Sequence, residues 1–243
     1  MSKPWDGLDC WNRINRGRLL DVDRVVFEHV TRSSYWHRRP SSLLDVGCGE
    51  GRFLGWAKGL FGVEAVGLDN DADLIARAKD QGCHVIKHDL NQYPWPVPKH
   101  HWEVVVASYS LYYLNDLKAA LEEARSCLKR NGLLCVTSSA ETCNQELMRI
   151  LESCGTVPPV LKKLYGSQEH VVEPLLRSWP GKVGRFDIRS KIELTDGEEI
   201  RNYLTSSSFY KMCDLKHDFM MMATQLQPFI VTKDVCILLW SGA

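Results

Sequence analysis

Residues 42–51 read Ser-Leu-Leu-Asp-Val-Gly-Cys-Gly-Glu-Gly. The first part, Ser42 to Gly47, is a short apolar run of strand character that stops at turn residues. Gly47, Gly49 and Gly51 break it, and Phe53 to Leu60 then reads as a helix. A glycine-rich bend between strand and helix turns sharply and lets backbone N–H groups approach a ligand with no Cβ in the way. That points to a nucleotide-like ligand. A dinucleotide fingerprint, G-x-G-x-x-G, would need its last glycine at position 52, where Arg52 stands. A triphosphate loop would need a lysine at a fixed offset, and none is there. The spacing that remains is G-x-G-x-G.

Working outward, Val63 to Asp69, Cys83 to Asp89, Trp102 to Ser108 and Gly132 to Ser138 also read as strands. Asp71 to Gln81 is predicted helical, with Asn70 as N-cap and Gly82 as its stop. Asp116 to Lys129 is predicted helical too, with Leu117, Ala120, Leu121, Ala124 and Leu128 on one face and the turn pair Asn131 and Gly132 ending it. Strand, helix, strand in this rhythm gives right-handed parallel crossovers, hence an α/β fold with a doubly wound, mostly parallel sheet covered on both faces.

After Ser138 the rhythm loosens. Residues 139–182 look helical but cut into pieces by Pro158, Pro159, Pro174 and Pro180. Gly184 to Leu194 alternates as one strand, and Thr195 to Glu198 forms a capping box that opens a helix to about Thr205. Ile230 to Trp240 returns to strand character, with Lys233 and Asp234 making a turn. The C-terminal strand is expected to be antiparallel and hairpin-connected to the strand near residue 188.

In open α/β sheets, ligands lie at the carboxyl ends of the strands. Asp69 closes the second predicted strand and can accept both hydroxyls of a ribose there. Asp89, followed by Leu90, sets an acceptor beside an apolar face, which suits an adenine. Asp45 ends the first strand, and Ala107 and Ser108 end the fourth. Each carboxylate has a plainer reading. Asp45 could simply bond its own loop, Asp69 could be a helix N-terminal carboxylate favoured by the dipole, and Asp89 a turn former before Asn91 and Pro94.

Composition limits the alternatives. At roughly 150 residues per domain, the 243-residue chain gives about 1.6, one large domain or one with an insertion. A hydrophobic share of 44% with 25% charged residues excludes disordered and collagenous chains. Thirty basic residues cancel thirty acidic ones, so no global field draws the protein to nucleic acid or anionic lipid. The arginine-rich start and the basic residues after the fifth strand read as solvated faces, with a patch for an anionic small substrate as the alternative. The longest mostly apolar run, Val104 to Leu114, is too short for a membrane helix, and the first residues lack the apolar stretch of a secretory signal. A cytoplasmic protein with no membrane partner is expected. Nine scattered cysteines without a C-x-x-C pair read as structural thiols, and no metal is expected.

Asp45 to Gly51, Asp69, the Asp89 and Leu90 pair, Trp102 to Leu114, and Leu128 to Val136 together resemble the class I S-adenosylmethionine-dependent methyltransferases. The likeness is in particular to the small enzymes similar to the ubiquinone and menaquinone biosynthesis methyltransferases (type 11). Glu198, Tyr203 and Phe229 to Asp234 resemble the same family's C-terminal hairpin. The resemblance implies a Rossmann-like sheet of seven strands with an antiparallel C-terminal strand, and S-adenosyl-L-methionine as cofactor. It implies Gly47, Cys48 and Gly49 at the methionine moiety with Asp45 supporting them, Asp69 and Asn70 at the ribose, Asp89 and Leu90 at the adenine, and Ala107 with Ser108 under the sulfonium. One methyltransferase domain would span residues 1–243: a helical N-terminal cover (1–40), the cofactor core (41–138), a helical insertion (139–182) and C-terminal strands and helices (183–243).

The departures matter as well. Tyr112 and Tyr113 stand where many relatives carry a histidine pair, so no histidine base is assigned and the catalytic residue stays open. These tyrosines, with Trp11, are candidates for the acceptor pocket. The expected reaction is methyl transfer to oxygen, nitrogen or carbon of a small molecule by a monomer or homodimer, with no nucleic-acid partner. A tRNA or protein methyltransferase and a non-catalytic S-adenosylmethionine-binding module are the alternatives.

Overall fold

The computed structural model describes residues 40–154, 157, 159, 161, 169–207, 216–226 and 228–242. The expected N-terminal cover, Trp11 included, lies outside the described residues. In chain order the elements are β1 (Ser42–Val46), α1 (Arg52–Phe61), β2 (Glu64–Asp69), α2 (Ala72–Asp80), β3 (His84–Lys87), β4 (Trp102–Ser108) and a 3-10 turn (Leu111–Tyr113). There follow α3 (Leu117–Cys127), β5 (Leu128–Ser139), α4 (Gln145–Cys154), α5 (Glu169–Arg177), β6 (Lys182–Ile188), β7 (Lys191–Leu194), α6 (Gly197–Ser206), α7 (Lys216–Gln225), β8 (Phe229–Thr232) and β9 (Val235–Ser241). They fall into two compact units, one holding the described residues of 21–138, 168–187 and 236–243, the other those of 139–167 and 188–235.

The larger unit carries a mostly parallel seven-stranded sheet in the order β3-β2-β1-β4-β5-β9-β6. Leu44 of β1 lies beside Val66 of β2 on one edge and Val105 of β4 on the other, both in parallel. The chain therefore reverses its direction of travel across the sheet between β1 and β4, which opens a crevice at their carboxyl ends. Val104, Val105 and Val106 are fully buried, as a central strand covered on both faces requires.

Local chemistry corrects several boundaries. The N-cap of α2 is Asp71, not Asn70: its carboxylate accepts the N–H groups of Asp73 (2.9 Å) and Leu74 (3.0 Å), while Asn70 is exposed. Asn131 and Gly132 do not follow α3 as a loop. The helix stops at Cys127, β5 starts at Leu128, and the left-handed Asn131 (φ 62°) lies where the register with β4 shifts. Pro174 does not cut its segment, because α5 continues past it and its carbonyl accepts the Ser178 N–H at 3.0 Å.

The single strand expected over Gly184 to Leu194 is two strands in different sheets. The break falls at Ser190, whose N–H donates to Asp234 Oδ1 (3.1 Å) and whose hydroxyl donates to the Lys233 carbonyl (2.7 Å). An even number of residues crosses the break, so the alternation runs through it unmarked. β9 does neighbour β6 in the sheet, but they are no hairpin: β7, α6, α7 and β8 intervene, and β8 pairs with β7 in a separate sheet. The capping box is shifted by one residue. Asp196 caps α6 by accepting from Glu198 and Glu199, and Glu199 reaches back to the Thr195 N–H at 2.9 Å.

In the smaller unit, β7 and β8 run antiparallel with Leu194 opposite Phe229, burying Ile192, Leu194, Phe229 and Val231. Lys233 is buried beyond β8. Its N–H donates to the Ser190 carbonyl (2.8 Å), its ammonium donates to Asn144 Oδ1, and it lies 5.4 Å over the Tyr203 ring. Burial pushes the Lys233 ammonium down to about 8, against the pull of Cys143 and Glu146. Burial also works against the Glu146 carboxylate, but bonds from the Thr232 N–H (2.9 Å) and hydroxyl (2.7 Å) prevail and hold it below its ordinary range.

Candidate functional site

The loop after β1 is fixed by its own backbone. The N–H groups of Gly47 and Cys48 converge on the Leu68 carbonyl at 2.8 and 3.1 Å, and Gly51 N–H donates to the Cys48 carbonyl at 2.9 Å. Gly49 N–H donates to Asp69 Oδ2 at 2.8 Å. The expectation that these amides approach a ligand is thus overturned, because all four are engaged within the protein. The Gly47 carbonyl, by contrast, meets no hydrogen-bond donor among the described residues.

The glycines serve different neighbours. A Cβ on Gly47 (φ 78°) would overlap the Ser110 Cβ, and one on Gly51 would lie 2.9 Å from the Ala78 Cβ and 3.0 Å from the Cys83 sulfur. These two positions are small because the protein fills the space. A Cβ on Gly49 would meet only the tip of Leu74, at 4.0 Å. Its Cα therefore faces open space, as a ligand-contacting glycine must.

Asp69, half-buried at the tip of β2, accepts from Gly49 through Oδ2 and from the Asp71 N–H through Oδ1 at 2.9 Å. A carboxylate has about four lone-pair sites, so each oxygen keeps one for a further donor. Asp89 Oδ1 accepts from the Asn91 N–H (3.0 Å) and side-chain amide (3.1 Å). Its Oδ2 and the neighbouring Leu90 N–H have no hydrogen-bond partner among the described residues. Leu90 itself is buried, and its carbonyl accepts the Trp95 indole N–H at 3.2 Å.

At the tip of β4, Ala107 is buried and the Ser108 hydroxyl oxygen is shut from solvent with no partner among the described residues. Asp45 is buried at the tip of β1. Burial, reinforced by the Asp45 and Asp69 carboxylates, pushes the Cys48 thiol far up, so it is neither nucleophile nor acid here. Asn70 is exposed and makes no side-chain hydrogen bond among the described residues. Tyr112 and Tyr113 pack edge-on at 4.5 Å in the 3-10 turn. Desolvation pushes the Tyr113 hydroxyl upward, and the Asp69 carboxylate adds to it, so this tyrosine is no base near neutrality.

Sequence reasoning passed over Ser110. Its hydroxyl donates to the Val46 carbonyl at 2.5 Å across 64 residues, and its side chain is the reason Gly47 has none. The signal for it was available: a hydroxyl inside a mostly apolar stretch directly after the fourth strand. Among the described residues there is no cluster of three or more metal-capable side chains, and no helix long and apolar enough to cross a membrane. The six described cysteines whose side chains are placed are buried and form no disulfide with one another.

Comparison with known proteins places this geometry. A family model described as a methyltransferase domain matches residues 19–213. No curated protein matches the sequence. Among solved structures, a SAM-dependent methyltransferase from Thermotoga maritima is 15% identical with a TM-score of 0.61, over 98% of this chain and 96% of that one. One from Aquifex aeolicus is 15% identical with a TM-score of 0.57, over 99% and 98%. The plantazolicin methyltransferase BpumL, solved with a pentazolic desmethylPZN analog and SAH, is 14% identical with a TM-score of 0.59, over 98% and 91%. These likenesses share the fold, and the family match spans most of the sequence: the chain belongs to the methyltransferase-domain family.

Proposed function

We propose that the protein transfers a methyl group from S-adenosyl-L-methionine to a small-molecule acceptor. The observation that carries this reading is the loop's own polarity: the Gly47, Cys48, Gly49 and Gly51 amides are engaged inward while the Gly49 Cα faces open space among carboxylates. Those four amides are already taken and offer nothing to an anion. A cationic ligand bearing a sulfonium and an ammonium finds acceptors, the Gly47 carbonyl among them. The amino-acid arm then lies along Gly47, Cys48 and Gly49, with Asp45 behind them. Asp69 accepts from the ribose hydroxyls, and its neighbour Asn70 borders them. The Asp89 oxygen and the Leu90 N–H form an acceptor and donor pair that complements the amine and ring nitrogen of adenine. Ala107 and Ser108 lie under the reacting end.

The sulfonium supplies an electrophilic methyl group when bound. The protein's part is to hold the acceptor in line with it and to exclude water. Tyr112 and Tyr113 border the acceptor side, where the upward-shifted Tyr113 hydroxyl is no base near neutrality, and Trp11 is a further candidate for acceptor binding. The protein works as one domain, in the cytoplasm, as a monomer or homodimer.

Calorimetric titration with S-adenosylhomocysteine tests the cofactor, and mass spectrometry of tritium- or deuterium-methyl products from a metabolite extract tests the acceptor. Binding with transfer to a small product supports the reading. Absence of binding overturns it, and methyl label found only in RNA or protein overturns the acceptor class.

A further inference from the structure

We infer that Ser110 is a positioning residue that holds the cofactor loop in its receptive conformation, so that the segment leaving β4 and the loop leaving β1 behave as one body. The inference rests on the cofactor reading above and adds a residue to it. The Ser110 side chain is buried, and its hydroxyl donates to the Val46 carbonyl at 2.5 Å. Its Cβ occupies the space a side chain at position 47 would need. The peptide at Gly47 is therefore gripped on two sides: β2 takes its N–H through the Leu68 carbonyl, and Ser110 closes on its Cα and on the carbonyl before it.

Ser110 is itself held in place. Tyr109 carries a left-handed backbone (φ 53°), a conformation a non-glycine residue keeps only where its surroundings impose it. The Tyr109 N–H donates to the Thr137 carbonyl of β5 at 2.9 Å, and the Ser110 carbonyl accepts from Tyr113 at 3.2 Å to start the 3-10 turn. The bent backbone at Tyr109 thus aims Ser110 back at the glycine loop instead of letting β4 run on. Loosening that contact frees the loop segment that faces the amino-acid arm, while the Asp89 and Leu90 pair for the adenosyl part stays in place.

The test compares two ligands that share the nucleoside and differ in that arm. Wild-type protein and Ser110→Ala are titrated by calorimetry with S-adenosylhomocysteine and with 5′-methylthioadenosine, and the ligand-free melting temperatures are recorded. The expected result is an affinity for S-adenosylhomocysteine about fivefold to tenfold lower in the variant, from loss of one buried hydrogen bond, with methylthioadenosine affinity within about twofold. Equal weakening of both ligands, or of neither, overturns the role of Ser110 while leaving the cofactor reading intact. Wild-type protein that binds neither nucleoside overturns both. Should Ser110→Ala fail to fold, Ser110→Cys, which keeps the side-chain volume with a weaker donor, is read by the same two ratios.

Discussion

The Asp69 carboxylate and the Gly49 amide lie 2.8 Å apart, so the side chain proposed to hold a ribose also pins the loop proposed to receive the amino-acid arm. On that proposal one residue serves both halves of the site. Asp69→Ala is expected to weaken S-adenosylhomocysteine binding by about 1 to 3 kcal/mol, through lost charge-assisted bonds. It should also lower the ligand-free melting temperature, because the Gly49 and Asp71 amides lose their acceptor. Asp69→Asn, which keeps one acceptor oxygen, should recover part of the stability and little of the affinity. Calorimetry with thermal melts separates the two, and unchanged affinity in both variants would refute the ribose assignment.

Gly47 and Gly49 should part company on substitution. Gly47→Ala forces a methyl group onto Ser110 at a left-handed position and is expected to cost about 3 kcal/mol or more of stability. Gly49→Ala meets only Leu74 at 4.0 Å and should cost about 1 kcal/mol, for its left-handed backbone alone, while Gly49→Val should abolish cofactor binding in a folded protein. Denaturant unfolding measures the first pair, and titration of folded Gly49→Val with S-adenosylhomocysteine measures the last. Normal binding by that variant places the ligand elsewhere.

The base should be read by the Asp89 and Leu90 pair. An inosine analogue of S-adenosylhomocysteine presents an oxygen to the Asp89 carboxylate and an N–H to the Leu90 N–H, so acceptor meets acceptor and donor meets donor. Its affinity is expected to fall at least about tenfold below that of the adenosine compound in wild-type protein. Asp89→Asn, able to turn a donor toward that oxygen, should narrow the gap, and an equal preference in wild type would remove the adenine assignment.

Lys233 gives the smaller unit a pH signature. Its folded value of about 8 lies below the 10.5 of an exposed lysine, so the unfolded chain binds more protons between those values. Stability therefore rises with pH across that window, by about 1 to 3 kcal/mol, as the buried ammonium loses its charge. Cys143, Glu146, Asp234 and Tyr203 share its surroundings, so the comparison is with Lys233→Met, which should lack the slope. Urea unfolding at pH 7.5, 9 and 10.5 checks it, and parallel slopes for the two proteins would exclude Lys233 as the source.

The strands that build the crevice were legible because buried strands are runs of Val, Leu and Ile; Asp69 ends β2 as expected, whereas β3 stops at Lys87, two residues before Asp89. Less legible was anything decided by a long-range contact. Ser190 splits a regular alternation because Asp234 and Lys233 capture its N–H and hydroxyl, and no local pattern announces partners 43 and 44 residues away. The inward direction of the loop amides was equally hidden, since it depends on the Leu68 carbonyl of the neighbouring strand. Asn70 and Asp71 illustrate the local limit: both are good caps, and only the side-chain geometry chooses between them.

The inward-facing amides bear on competition in a crowded solution. On the proposed reading, ATP and NAD, which carry the same adenosine, would bring their phosphates to a bend whose Gly47, Cys48, Gly49 and Gly51 amides are already taken, beside the Asp45 and Asp69 carboxylates. On that reading, discrimination against phosphate-bearing nucleotides comes in part from what this bend withholds.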